Sequence, residues 1–203
     1  MGFLEDVRKL EVVPASTNKQ FQQAIEIRRR IYCDEISWLT PETLVDNWDS
    51  QAVHLLASHY GRAIATVRIN AQKSGLEIEK YINLDNYRSL GKCAEVSRLC
   101  ALPEIRFSVV TIGMFYALFR YAMANGVRFY CITASPHYRR MYIDLGFKHV
   151  AGPFRNKLLN DTLHDAYILD FVGAPLEGPW VEDWAKRRPR MLELFRQPLE
   201  NIG

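Results

Sequence analysis

The residue types best suited to chemistry stand close together between Cys93 and Arg106, where polar side chains interrupt an apolar, strand-like run. Strand side chains alternate between the two faces of a sheet, so a carboxylate and a hydroxyl of this run share a face. The alternation places Glu95, Ser97 and Leu99 on one face, and Val96, Arg98 and Cys100 on the other. A polar group inside a sheet needs a hydrogen-bond partner or a function. We therefore expect this strand to carry the functional site.

The composition predicts a single domain that spans residues 1–203. Hydrophobic residues make up 48% of the chain, which is enough for one sizeable core. The net charge of +3 is too small to indicate a protein that binds nucleic acid. No metal-binding or disulfide spacing relates the four cysteines, which are expected to be buried thiols with no metal site: Cys33, Cys93, Cys100 and Cys131.

The sequence also predicts a cytoplasmic protein. The first ten residues have no apolar export segment and no myristoylation pattern. The longest apolar run, residues 107–119, is shorter than the roughly 20 residues that a membrane span requires. We expect it to form a buried helix instead of a transmembrane segment.

Capping and turn residues mark the elements that must position the central strand. Thr17 and Gln20 have capping-box spacing and open a helix that carries Arg28 on its apolar side. Arg28 either packs its stem and extends its charged head outward, or holds an anion in a pocket.

The loop at 34–50 contains two tryptophans and is expected either to fold over a pocket or to cap one end of the core.

Strands and helices alternate after the central strand, which is the rhythm of an α/β protein. A turn at Tyr60-Gly61-Arg62 predicts an antiparallel hairpin. Asp46 and Asp49 precede this hairpin, and their position allows an ion pair to Arg68 late in its second strand. Strands are predicted at 9–13, 53–58, 63–69, 127–134, 147–151 and 166–171, and helices at 107–124, 136–145 and about 179–198.

The order of these elements resembles the GNAT acyltransferase fold, a single α/β domain whose mixed, mostly antiparallel sheet is flanked by helices. Tyr142-Ile-Asp-Leu-Gly146-Phe147 is similar to a GNAT signature in which the tyrosine can protonate the departing thiolate. The same pattern also describes an aromatic residue packed behind a turn glycine. GNAT enzymes that use coenzyme A carry a glycine-rich turn before the central helix, whose backbone N–H groups cradle pyrophosphate. Arg106-Phe-Ser-Val-Val-Thr111 stands here instead, which argues against a tight coenzyme A clamp.

One branch of the superfamily resembles the chain more narrowly. Acyl-homoserine lactone synthases and long-chain N-acyl amino acid synthases take their acyl group from acyl carrier protein. Eight residues that recur in lactone synthases stand here in order and at near-identical spacing: Arg28, Tyr32, Trp38, Asp46, Asp49, Arg68, Glu95 and Arg98. The run from Glu95 to Arg106 is more similar to N-acyl amino acid synthases, including N-acyl tyrosine synthases. Arg68-Ile-Asn-Ala also departs from the Leu-Leu-Pro-Thr that follows this arginine in lactone synthases.

The resemblance implies an N-acyltransferase that joins a long-chain fatty acyl group to the α-amine of an amino acid, with a tyrosine-like acceptor favoured. It implies no permanently bound cofactor, because the acyl-phosphopantetheine donor arrives on acyl carrier protein. Two alternatives stay open: a lactone synthase that consumes S-adenosylmethionine, and a non-catalytic GNAT-like domain that senses acylated carrier protein or a lipid. The missing glycines disfavour an ordinary acetyl-coenzyme A acetyltransferase.

The resemblance also implies roles for individual residues. Glu95 is either the base that removes a proton from the amine, directly or through water, or a structural acid paired with Arg68 or Arg98. Tyr142 is the acid that protonates the thiolate. The expected substrate-binding residues are Arg28, Tyr32, Trp38, Ser97 and Arg98, with Arg98 or Arg28 on the substrate carboxylate. Asp46, Asp49 and Arg68 are expected to tie the loop to the hairpin.

Two surfaces complete the expected enzyme. The acyl chain needs a dry tunnel, and the apolar helix at 107–119 either lines it or packs in an ordinary core. Acyl carrier proteins are acidic, so docking is expected on a basic patch. The candidate docking residues are Arg139, Arg140, Arg155 and Lys157, together with the cluster from Lys186 to Arg190.

Overall fold

The computed structural model describes residues 10–106 and 109–171, without the side chains of Val109 and Ile112. The helix predicted at about 179–198, with its basic cluster from Lys186 to Arg190, lies outside the described residues.

A seven-stranded sheet organises the described residues. Its strands are β1 (Leu10–Pro14), β2 (Val53–His59), β3 (Arg62–Asn70), β4 (Lys92–Ala101), β5 (Val127–Ala134), β6 (Lys148–Asn156) and β7 (Thr162–Asp170). They lie in the order β1-β2-β3-β4-β5-β7-β6. Only the β4–β5 pair is parallel, and the other five neighbouring pairs of the described sheet are antiparallel. The predicted α/β fold with a mixed, mostly antiparallel sheet is therefore confirmed.

Helices cover both faces of the sheet. They are α1 (Asn18–Arg28), α2 (Asp85–Leu90), α3 (Val109–Ala124) and α4 (Arg139–Asp144). A π-helical segment, Arg29–Glu35, continues α1 without interruption, and sequence periodicity did not predict it. Short 3₁₀ segments lie at Asp49–Gln51, Glu77–Lys80, Pro103–Ile105, Pro136–Tyr138 and Lys157–Leu159. None of the helices in the described part of the chain combines the length and apolar character needed to cross a membrane.

Local sequence rules account for several of these boundaries. The Thr17 hydroxyl accepts a hydrogen bond from the Gln20 N–H at 3.2 Å, and the Gln20 amide oxygen accepts from the Thr17 N–H at 3.1 Å. This is the predicted capping box at the start of α1. Tyr60 and Gly61 adopt φ angles of 50° and 73°, as a two-residue hairpin turn between β2 and β3 requires.

The core divides between the two faces. On one face, α3 packs Met114 and Leu118 against β2 to β5, and burial of each such side chain contributes about 1.5–3 kcal/mol. The opposite face is covered by α1 and by the segment at 76–90. A layer of helix on each face therefore holds β4 in the middle of the fold.

The alternation of side chains along β4 holds up to Ser97 and then shifts. Arg68 pairs with Ser97 whereas Thr66 pairs with Cys100, so two β4 residues oppose one residue of β3. This is a β-bulge, and Arg98 within it has a φ of 54°. Beyond the bulge, Cys100 packs toward α1 and Leu99 toward α3. The predicted faces of Arg98, Leu99 and Cys100 were therefore wrong, because strict alternation does not allow for an inserted residue.

Candidate active site

The parallel strands β4 and β5 part in the middle of the sheet. Their pairing runs from Lys92 and Val127 to Glu95 and Cys131, and ends there. Past this point a cavity opens between residues 96–99 of β4 and 132–134 of β5. We call it the split cavity. Its empty space, counted together with the part that opens to solvent, is about 1240 Å³.

The split cavity has walls on both faces of the sheet. On the α3 side the walls are largely aromatic and aliphatic: Phe115, Leu118, Phe119, Tyr130, Tyr142 and Phe171. On the opposite side the walls are Trp38, Arg98, Leu159 and His164, which we call the polar wall. The cavity thus passes through the sheet and joins an apolar chamber to a chamber that carries polar groups.

A second, largely apolar compartment adjoins the first. Ile31, Met114 and Met141 line it, and Phe115 and Tyr142 belong to both compartments. Tyr142 therefore stands where the two apolar spaces meet.

The Tyr-x-x-x-Gly-Phe pattern positions Tyr142 by ending its helix. The Phe147 N–H donates to the Tyr142 carbonyl at 3.0 Å, and the Gly146 N–H donates to the Ile143 carbonyl at 2.9 Å. Gly146 has a φ of 89°, so this is a glycine-capped Schellman end. The chain then turns back, and the Phe147 ring packs against that of Tyr142 at 5.5 Å.

The Tyr142 phenol stays neutral throughout the physiological range. Burial in apolar surroundings raises the pKa of Tyr142, and the neighbouring Tyr138 and Tyr167 raise it further. The rings of Tyr142 and Tyr167 lie 5.4 Å apart. A neutral phenol that lines the cavity can donate its proton to a leaving group, which is the role expected of this residue.

Behind the polar wall lies a buried set of ion pairs, the arginine–carboxylate network, formed by Arg28, Arg68, Arg98, Asp46, Asp49 and Glu77. Arg68 donates to Asp46 and to Glu77 at 2.6 Å each, and lies 3.4 Å from Asp49. Arg28 donates to Asp49 at 2.6 Å, and Arg98 donates to Asp46 at 2.8 Å. Burial acts to raise the pKa of Asp49, but Arg28 and Arg68 outweigh it and hold that pKa below its ordinary value. The network ties the loop at 46–49 to β3 and β4.

Glu95 lies beside this network but is not needed to balance its charges. The network contains three arginines and three carboxylates, so its charges balance without Glu95. Burial raises the pKa of Glu95 from 4.5 to about 8, with a further contribution from Glu77. Its carboxyl accepts a hydrogen bond from the Ile78 N–H at 3.1 Å. Its surroundings therefore favour the protonated form.

The structure gives Glu95 neither a place in the wall of the split cavity nor an ion pair among the described residues. It is 2% exposed and is not among the residues that line the split cavity. No ion pair of the described residues includes Glu95, since Arg68 and Arg98 pair with Asp46 and Glu77 instead. Glu95 could therefore take a proton from a substrate only through an intervening water.

Three of the expected substrate-binding residues use their polar groups elsewhere. Arg28 is fully buried, contacts Asp49 and the ring of His54, and does not line the cavity. The Ser97 hydroxyl accepts from Arg68 at 2.9 Å. The Tyr32 hydroxyl donates to the Leu99 carbonyl at 3.3 Å. Tyr32 and Ser97 still form part of the cavity wall.

Arg98 and Trp38 are the expected residues that the polar wall offers to a substrate. One terminal nitrogen of Arg98 donates to Asp46, whereas its buried Nε has no hydrogen-bond partner among the described residues. An arginine with donors to spare can bind a carboxylate. Trp38 packs between Tyr32, at 6.3 Å between ring centroids, and His164, at 5.2 Å.

Sequence reasoning missed His164. This residue is 1% exposed and lines the split cavity beside Trp38. Burial lowers the pKa of His164, and the charge of Arg98 lowers it further, so the imidazole is neutral at pH 7. The alternation along β7 would have placed His164 on one face, but no motif distinguished it from a core histidine.

The basic residues expected to dock a carrier protein lie at two separate places. Arg140 is on α4, two residues before Tyr142, and its side chain is 87% exposed. Arg139 is less available, because its guanidinium donates to the buried Asp165 at 2.7 Å. Arg155 lies at the end of β6, with a side chain that is 68% exposed, and Lys157 begins the 3₁₀ segment that carries Leu159 of the polar wall.

Comparisons with known proteins agree with this geometry. The sequence profile of the family N-acyl amino acid synthase FeeM matches residues 23–164. The structure of FeeM, an N-acyl amino acid synthase from uncultured soil microbes, superposes with a TM-score of 0.72 at 17% identity, covering 81% of this chain and 91% of FeeM. No curated protein matches the chain in sequence.

Two other solved structures share the fold. A putative N-acetyltransferase from Lactobacillus plantarum has a TM-score of 0.63 at 15% identity, covering 79% of this chain and 97% of that one. The coenzyme A-dependent acyl-homoserine lactone synthase BjaI has a TM-score of 0.63 at 14% identity, covering 88% of each chain. The expected GNAT-type fold is confirmed by these superpositions.

Proposed function

The chain belongs to the family of the N-acyl amino acid synthase FeeM, and from this premise we propose that it transfers a long-chain fatty acyl group from acyl carrier protein to the α-amine of an amino acid. That it is an acyltransferase follows from the family and confirms the expectation from sequence. The observation that carries the finer proposal is the split cavity, an apolar chamber that meets a chamber with a spare arginine donor.

The apolar chamber on the α3 side suits the acyl thioester. Its walls are aromatic and aliphatic, and each CH₂ group of an acyl chain buried there contributes about 0.8 kcal/mol. Tyr142 lies at its edge, where the phenol can protonate the sulfur as the carbon–sulfur bond breaks. Beyond Glu95, β4 no longer pairs with β5. Backbone N–H groups on that edge of β4 would therefore be available to bind the carbonyl oxygen of the thioester.

The chamber with Trp38 and Arg98 suits an amino acid. The spare donors of Arg98 would bind its carboxylate, and the rings of Trp38 and Tyr32 would pack against an aromatic side chain such as that of tyrosine. A carboxylate held there directs the α-amine toward the gap between β4 and β5. This arrangement favours a tyrosine-like acceptor.

Acyl carrier protein would dock against α4. Arg140 is exposed beside Tyr142 and Tyr138, which line the apolar chamber, so an acidic partner bound there would deliver its phosphopantetheine arm directly. Arg155 and Lys157 stand instead near the acceptor side, next to Leu159. Arg140 is therefore the better docking candidate of the two groups.

Incubation of the pure protein with acylated carrier protein, acyl-coenzyme A, all twenty amino acids and S-adenosylmethionine tests the proposal, with products identified by mass spectrometry. The expected product is an N-acyl amino acid formed faster from carrier protein than from coenzyme A. Tyrosine should be acylated in preference to tyramine, which lacks the carboxylate that Arg98 would bind. Release of methylthioadenosine would identify a lactone synthase, and the absence of any acyl transfer would support a sensing domain.

A further inference from the structure

We propose that His164 is the general base of the acyl transfer, which rests on the proposed function. Its Nε2 would accept a proton from the ammonium group of the acceptor amino acid before the amine attacks the thioester. The carboxylate expected in this role, Glu95, lies outside the cavity, in surroundings that favour its protonated form.

The surroundings of the ring determine which nitrogen is basic. His164 Nδ1 lies 3.2 Å from the Thr162 carbonyl oxygen and 3.4 Å from the Thr162 hydroxyl oxygen. That hydroxyl donates its own hydrogen to the Leu159 carbonyl at 2.6 Å, so it can only accept from His164. Both neighbours of Nδ1 are acceptors, and Nδ1 therefore carries the hydrogen. The lone pair is on Nε2, which makes no hydrogen bond to the described residues.

The position of the ring fits the chemistry. His164 shares the polar wall with Arg98 and Trp38, so an amino acid whose carboxylate is bound by Arg98 presents its α-amine in the same chamber. The charged groups near the ring are Arg98 from β4, Glu77 from the 3₁₀ segment and Asp165 from β7 itself. The edge of the ring packs against Trp38, which restricts its orientation. A neutral imidazole held in this orientation can accept a proton.

The proton balance closes without a further reactant. The acceptor nitrogen loses two protons as the new carbon–nitrogen bond forms and the carbon–sulfur bond breaks. The first passes to His164 Nε2 and on to solvent, and the second replaces the proton that Tyr142 gives to the sulfur. The products are an amide, a free thiol on the donor and one proton in solution.

The test compares the wild type with His164→Asn in the same acyl transfer assay, as a function of pH. Asparagine keeps an N–H donor for the Thr162 carbonyl but removes the basic nitrogen. We expect kcat to fall about 100-fold or more at pH 7, as for the loss of a general base. The deficit should shrink steadily as the pH approaches the pKa of the acceptor amine, because a neutral amine needs no base. His149→Asn is the matched control and should leave the rate unchanged, because the His149 side chain is 32% exposed and lies outside the cavity.

The outcomes separate this inference from the proposed function. A wild-type protein that acylates no amine refutes the proposed function itself. A wild type that acylates tyrosine while His164→Asn shows the same rate at pH 7 overturns only the role of His164. A deficit that is equal at all pH values would also overturn it, because a purely structural loss does not depend on the protonation of the acceptor. Thermal unfolding of the variant checks that the fold is kept.

Discussion

The arginine–carboxylate network and the split cavity lie side by side at the middle of the sheet, but they are built on opposite principles. In the network, three arginines and three carboxylates neutralise one another at distances of 2.6 to 2.8 Å in the strongest pairs. In the cavity, the walls are mostly apolar, and the hydroxyl of Tyr142 and Nε2 of His164 make no hydrogen bond to the described residues. Most groups of the network are paired within the protein and hold the structure, although the buried Nε of Arg28 has no partner among the described residues. Tyr142 and His164, in contrast, have hydrogen-bonding capacity left for a substrate.

This contrast explains why only some of the eight residues that match the lactone synthases line the cavity. Arg28, Asp49 and Arg68 are consumed by the network and do not line the cavity. Arg98 belongs to both regions, because it pairs with Asp46 and also lines the cavity. Substitutions in the two regions should therefore have different effects, on stability in one region and on catalysis in the other.

Tyr142→Phe should give the largest effect on the cavity side. It removes a proton donor from a neutral phenol and leaves the packing against Phe147 intact. Loss of a general acid lowers kcat by about 10² to 10⁴, while the free energy of unfolding should change by less than about 1 kcal/mol. Steady-state turnover and urea unfolding measure the two quantities. A turnover within threefold of the wild type would show that Tyr142 belongs with the structural residues.

Arg68→Gln should give the opposite result on the network side, namely a large loss of stability. It leaves Asp46 and Glu77 buried without their partner, which costs about 3–5 kcal/mol of unfolding free energy. Urea unfolding measures this loss. Arg62→Gln is the matched control on the same strand, since its ion pair with Glu104 is exposed and contributes no more than about 1 kcal/mol. Equal losses in the two variants would contradict the distinction between a buried and an exposed pair.

Arg140→Glu should alter only the delivery of the donor. Reversing this exposed charge raises KM for acyl carrier protein by about tenfold through weaker association, and leaves turnover of a small acyl-pantetheine thioester unchanged. Arg155→Glu distinguishes the two basic groups. If this second variant were the one that lost carrier-protein turnover, docking would be on the acceptor side of the sheet.

Glu95→Gln should have the smallest effect on activity and a pH-dependent effect on stability. In the folded protein the pKa of Glu95 is raised to about 8, so between pH 5 and 8 the unfolded chain has released a proton that the folded chain retains. The stability contributed by this group therefore falls as the pH rises across that window, by an amount on the order of a few kcal/mol in total. Glutamine removes this dependence, and turnover should stay within about threefold of the wild type.

Urea unfolding of both proteins from pH 5 to 8 measures this difference, which should grow with pH in favour of the variant. Glu77→Gln serves as the control with the opposite sign, because it deprives Arg68 of a carboxylate and destabilises the fold. A hundredfold loss of turnover in Glu95→Gln at pH 7 would restore Glu95 as the base.

Sequence patterns predicted most of the fold because its elements obey local rules. The capping box at Thr17 lies where the pattern places it, and the hairpin turn lies within the predicted Tyr60-Gly61-Arg62. The π-helical continuation of α1 and the bulge at Arg98 were not predicted. Both insert a residue into a regular period, and such an insertion depends on packing against other elements and not on the local residue types.

The site was less accessible to sequence reasoning for a related reason. The resemblance identified the strand with Glu95 and the helix with Tyr142, but a list of matching residues does not say which of them face a substrate. The raised pKa of Glu95 follows from its burial and from the neighbouring Glu77, and only the folded arrangement provides both. His164 lines the cavity because the gap between β4 and β5 opens beside it. Residues that are far apart in the chain form this gap, so no local sequence pattern indicates it.

The passage of the split cavity through the sheet has a kinetic consequence. Under the proposed function, a donor on the α3 side and an acceptor beside Trp38 and Arg98 would occupy different chambers of the cavity, so both could be bound when the reaction occurs. Initial-rate plots at several fixed concentrations of one substrate should then intersect, as for a ternary complex, and should not be parallel as for a covalent acyl-enzyme. A single molecule that joins an acyl-pantetheine to an amino acid would fill both chambers and inhibit more strongly than its two separate halves.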